Sequence, residues 1–126
     1  MTQKEAQLLL NSGFRLGVTK LVDSPEYLGW ILVSKHPSNP RMKGILEESQ
    51  ETHLLEEQRQ RELAPYLVLN IELKRPVHEA GDYETEGDYR MKTKTWCKDL
   101  KHVQDVLREL GVELGRLRQS REIDAP

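Results

Sequence analysis

Nine residues, Tyr66–Lys74, reading Tyr-Leu-Val-Leu-Asn-Ile-Glu-Leu-Lys, set the strictest condition on what this chain can fold into. Successive Cβ atoms of a strand point to opposite faces, so Leu67, Leu69, Ile71 and Leu73 form one unbroken apolar row. Tyr66, Asn70, Glu72 and Lys74 fall on the other face, where Val68 is the lone aliphatic side chain. The pattern predicts a half-buried strand, with the leucine row turned to a core and the opposite face to water. A sheet with one covered side follows from it.

The flanking segments supply that sheet and its cover. Thr2–Asn11 predicts a short helix, with Thr2 as cap, Glu5 in capping-box position, and Asn11-Ser12-Gly13 as the stop. Phe14–Val22 and Tyr27–Lys35 read as two strands joined by the turn Asp23-Ser24-Pro25-Glu26. Both faces of the second are apolar, which predicts a central strand. His36-Pro37-Ser38-Asn39-Pro40 then breaks regular structure. Gly44–Leu63 has Glu47, Glu48 and Glu51 early and Arg59 and Arg61 late, the polarity a helix dipole favours. Its thin apolar face leaves two readings, a largely solvated helix or a flexible insertion, and residues 36–64 are taken as a polar, mobile helical insertion.

Arg75–Gly87 is a polar connection, and Tyr89–Thr95 alternates as a fourth strand. Trp96, Leu100, Val103, Leu107, Leu110, Leu114 and Leu117 recur at spacings of four and three, and Val106 widens them into a core-facing helical stripe. The helix can also end at Leu110, with Gly111 as a left-handed cap and Val112 as its hydrophobic partner. Residues 120–126 are expected to be a flexible tail. The order α-β-β-α-β-β-α predicts one α+β domain over residues 1–119. Its expected core is an antiparallel four-stranded sheet backed on one face by about three helices.

At 126 residues such a domain can bury a core without disulfides or metal. Cys97 is the single cysteine, so no intrachain disulfide forms and a reducing compartment is expected. A net charge of −2 gives no general electrostatic case for nucleic acid or an anionic membrane. No stretch approaches the roughly 20 apolar residues that span a bilayer, and Met1–Gln7 lacks a signal-peptide pattern. A cytoplasmic protein without a cofactor is expected.

Four groups of residues could carry chemistry. Ile71-Glu72-Leu73-Lys74, followed by Arg75-Pro76, resembles the Glu-x-Lys strand of the restriction-endonuclease-like nucleases. That resemblance implies Mg²⁺ held by Glu72 and an upstream acid, with Lys74 positioning the attacking water. The chain departs from the pattern in having no Asp between Asp23 and Asp82. Arg90, Lys92 and Lys94, predicted on the same solvent face as Glu72 and Lys74, form a basic row able to meet phosphates. The bland reading of both is a charged outer face that keeps a sheet in solution.

The histidines His36, His53, His78 and His102 lack zinc-ligand spacing, and Cys97, just before a helix, could have a lowered pKa. The acidic run Asp82, Glu84, Glu86 and Asp88 lacks an EF-hand pattern and reads as a solvated loop. Last, Leu100, Val103, Leu107, Leu110 and Leu114 offer a stripe for a second copy or a protein partner, or simply pack on the chain's own sheet. The expectation is a non-enzymatic binding, adaptor or regulatory protein that acts by protein–protein contact as a homodimer. A nucleic-acid-binding or Mg²⁺-dependent nuclease-like protein is the alternative.

Overall fold

The computed structural model describes residues 1–81 and 85–126. Tyr66–Lys74 is a strand, β3, and it lies inside a five-stranded antiparallel sheet. Its neighbours are β2 (Tyr27–Lys35), paired along all nine residues, and β4 (Tyr89–Cys97). The hairpin partner β1 (Leu16–Lys20) follows β2, and a two-residue strand β5 (Arg118–Gln119) closes that end. The order is β4-β3-β2-β1-β5, so β2 is central, as its two apolar faces required. The fifth strand is a correction to the four expected. Two residues carry no readable periodicity.

Helix α1 (Gln3–Asn11) begins as its sequence dictates. The Thr2 hydroxyl accepts from the Glu5 backbone N–H at 3.2 Å, and Gly13 takes φ +87° beyond the end. Helix α5 (Leu100–Glu109) starts from Asp99, whose carboxylate accepts from His102 N–H, and stops at Leu110. Gly111 has φ +77° and Val112 N–H donates to Leu107 O at 2.9 Å, the left-handed cap with its hydrophobic partner. Leu114 and Leu117 therefore leave the helix, yet both remain buried.

The main core lies on the face that β3 was expected to turn to water. Tyr66 and Val68 are buried there with Leu16, Val18, Ile31 and Val33, beneath Ala6 and Leu10 of α1 and Leu100, Val103 and Leu107 of α5. The leucine row belongs to a second, smaller cluster on the other face, where Leu32, Trp30, Ile71 and Leu73 are buried. Alternation located both faces but assigned the larger core to the wrong one. The helices cover only one half of the first face, the half where β3 carries Tyr66 and Val68.

The second cluster is roofed by residues expected to be a loose tail. Ser120–Ile123 forms a 3₁₀ turn, Trp30 Nε1 donates to Ile123 O at 3.3 Å, and Arg15 donates to Pro126 O. Helix α4 (Arg75–Ala80), in the stretch read as a polar connection, sets His78 edge-on to Trp30 at 4.8 Å. Arg75 N–H donates to Glu26 O, anchoring α4 to the β1–β2 turn.

The insertion is two helices rather than one: α2 (Pro40–Ser49) and α3 (Thr52–Leu63). Gln50 at φ +61° ends α2, and Asn39 caps its start. The expected single helix from Gly44 instead starts at Pro40, which suits a first helical position, five residues after β2 ends at Lys35, and it is divided at Gln50. Asp82 and Glu84 of the acidic run lie outside the described residues.

Candidate functional site

The half of the first face left open by α1 and α5 carries the chain's charged cluster. Lys20, Gly29, Glu72 and Met91 stand in one row across β1, β2, β3 and β4, since each is the register partner of the next. Gly29 is what lets the row close. A Cβ there would lie 2.6 Å from Lys20 Cγ and 2.8 Å from Lys20 Cε, so the lysine crosses β2 over the space a side chain would fill. Lys20 Nζ then reaches Asn70 Oδ1 at 2.6 Å and Glu72 Oε2 at 3.1 Å on β3.

Arg90 arrives at the same carboxylate by an irregularity. Glu72 pairs with Met91 but Leu73 pairs with Tyr89, leaving Arg90 as the extra residue of a bulge. Its Nε donates to Glu72 Oε1 at 3.0 Å, and Nη2 bonds the same oxygen and Asp23 Oδ1, the latter at 2.7 Å. The guanidinium also lies over the Tyr27 ring, 4.6 Å from its centroid. Two cations face two carboxylates. Arg90's hydrogen bonds, partly offset by burial and helped by Lys20, hold the Glu72 carboxyl below its ordinary range, and Arg90 does the same for Asp23.

This geometry decides how the sequence candidates can act. Glu72 is only 6% exposed and both its oxygens are occupied by cations, so it is a structural anion in this state rather than an open metal ligand. Lys74 is exposed at the end of β3, where it precedes α4. No group of three or more His, Cys, Asp or Glu residues that could hold a metal ion occurs among the described residues.

The basic row is divided between faces. Lys92 and Lys94 pair with Ile71 and Leu69, so they share the leucine-row face, while the bulge turns Arg90 to the Glu72 face. The expectation that all three join Glu72 and Lys74 on one surface is corrected by the register, which puts Lys92 and Lys94 on the opposite face, while the extra residue alone brings Arg90 to Glu72.

Cys97 is buried, and burial followed by the nearby Asp99 carboxylate pushes its thiol up to about 11, opposite to the lowering expected beside a helix start. His36 bonds Ser34 at 2.8 Å and stands edge-on to Trp96 at 5.8 Å. Burial, then Arg61 and Lys94, holds it below the usual histidine range. Of the partner-facing stripe, Leu100, Val103, Leu107 and Leu114 are buried within the chain's own core, and only Leu110 is substantially exposed, at 38%.

Leu110 opens onto a groove of about 420 Å³ beside the charged cluster. Its walls include Leu21, Ile31, Leu110 and Val112, and its polar rim is Lys20, Asn70 and Arg116. Leu21 is wholly exposed among the groove's lining residues. Leu21, Gly29 and Asn70 were not chosen as site residues from the sequence, because what brings Lys20, Gly29 and Asn70 together is the register across the sheet. The Lys20–Glu72 pairing is likewise a property of register.

No family model, curated protein or solved structure matches this chain.

Proposed function

We propose that this chain is a small, soluble, cytoplasmic binding or adaptor protein that acts through protein–protein contact, as a homodimer. The observation that carries this reading is the groove: Leu21 and Leu110 stand exposed among its lining, while the adjoining Lys20 is already paired with Glu72 within the chain. Covering such a surface buries the two exposed leucines, and Lys20 keeps its Glu72 partner when water leaves. A second copy is the simplest cover, the same exposed Leu21 and Leu110 meeting their counterparts about a two-fold axis.

The test is light scattering on the purified protein at low and high salt, with and without generic duplex and single-stranded nucleic acid. A dimer that persists in salt and ignores nucleic acid, and that becomes a monomer in Leu21→Asp or Leu110→Asp, is the expected result. A monomer that shifts only onto nucleic acid at low salt would overturn the reading.

A further inference from the structure

Helix α2 packs chiefly on α3 and shows its other side to water. Leu46, only 7% exposed, and Lys43, whose Nζ is 2.7 Å from Glu62 Oε1, mark the side turned to α3. Arg41, Gly44, Ile45 and Glu48 recur at helical spacing and form one stripe on the opposite side. All four are exposed. Glycine weakens a helix interior relative to alanine, and a Cβ at Gly44 would meet nothing within 4 Å, so no contact inside the chain calls for glycine there. The ion pairs of α2 and α3 are Lys43–Glu62, Arg59–Glu56 and Arg61–Glu57, which leaves Arg41 and Glu48 without one among the described residues.

Reversed, the stripe is complementary to itself. Laid antiparallel on a second copy, about a two-fold axis between Gly44 and Ile45, Arg41 meets the second copy's Glu48 and Glu48 meets its Arg41. Ile45 falls opposite the second copy's Gly44 on both sides of the axis, over the space that the missing side chain leaves open. Parallel pairing would instead set Arg41 beside Arg41 and Glu48 beside Glu48, and like charges so placed repel.

We propose that α2 is a self-association surface: two copies join through antiparallel α2 helices, with Ile45 seated over Gly44 and Arg41 paired with Glu48. One ten-residue helix is a small contact beside a standard interface of about 800 Å² per partner, so the pairing is weak and needs raised protein concentration. It shares no residue with the Leu21–Leu110 groove and does not rest on it. Between chains already paired at the groove it builds tetramers or longer assemblies.

Sedimentation equilibrium over a rising concentration series, in low and high salt, tests it on the unaltered chain and on Leu21→Asp, in which α2 pairing stands alone. Arg41→Glu or Glu48→Arg turns two attractions into two repulsions and should weaken association at least about tenfold. The double variant Arg41→Glu/Glu48→Arg, and an equimolar mixture of the two single variants, should regain it. Gly44→Gln and Ile45→Asp should lose it, and high salt should weaken it. An assembly that survives Leu21→Asp but not Ile45→Asp supports α2 pairing even where the groove fails.

Association indifferent to the single reversals, a double variant that stays weak, or no concentration-dependent association in low salt would each overturn the proposal. Amide hydrogen exchange of residues 41–48 in the unaltered chain is a readout free of substitutions. Protection there should grow with protein concentration, and protection that stays constant would overturn the proposal too.

Discussion

Glu72 is the residue on which the open half of the sheet depends. It is buried, and three donor atoms from Arg90 and Lys20 converge on its two oxygens. Glu72→Gln keeps the shape and removes the charge, and should cost on the order of 2 kcal/mol, the range for a hydrogen bond to an ionised group. Because the folded carboxyl is held below its ordinary 4.5, its contribution is present above that value and is lost as pH falls through the lowered one. Thermal unfolding from about pH 7 to about pH 3 should show the gap between the native chain and Glu72→Gln shrinking below 4.5. A gap indifferent to pH would show that the charge is not what holds the cluster. The sequence exposes Glu72 as one polar residue on an alternating strand. Its partners lie 18 and 52 positions away, and no local spacing announces them.

At the level of elements, two glycines define how the strands cross. Gly29 gives Lys20 its path, and Gly17 meets Leu32 Cδ2 at 2.5 Å and the Ile31 carbonyl oxygen at 2.9 Å from where a Cβ would stand. Gly29→Ala displaces a flexible lysine and Val22, and should cost about 1–3 kcal/mol as overpacking does. Gly17→Ala pushes against backbone and should cost more. Denaturant titration of both variants checks the order, and a milder Gly17→Ala would refute this account of the two sites. What was legible at this scale is what local chemistry writes: the Thr2 cap, the Gly111 stop, the Asp23–Glu26 turn, and four of five strands. The Arg90 bulge was not, because alternation continues through Tyr89–Thr95 and only the register with β3 shows the extra residue.

On the scale of the whole molecule, α2 and α3 form a helical hairpin packed chiefly on itself. Leu46 and Gln58 are buried, while Met42, Ile45, Leu54 and Leu63 remain exposed. Asn39 N–H to Gln58 Oε1 and His36 N–H to Pro65 O tie its base together. With so few buried apolar contacts it should open before the sheet does. Brief limited proteolysis is expected to cut first near Gln50, with β-strand amides still protected from exchange. First cleavage within β1–β3 would contradict this. The thin apolar face in the sequence foretold a helical segment with little cover, though not its division in two.

The roof over Trp30 carries a consequence in time. Its carbonyl partner, Ile123, comes 93 positions later in the chain, and β1 waits longer still for β5. During synthesis the β1–β2 hairpin leaves the ribosome with one side bare, and the chain must be made through Ile123 before that side is sealed. Contacts this distant in sequence slow folding, since a long loop must close before they reward it. The newborn β1–β2 hairpin is thus the stage at which this protein is most open to a wrong partner, and the arrival of the Ser120–Ile123 turn ends that exposure.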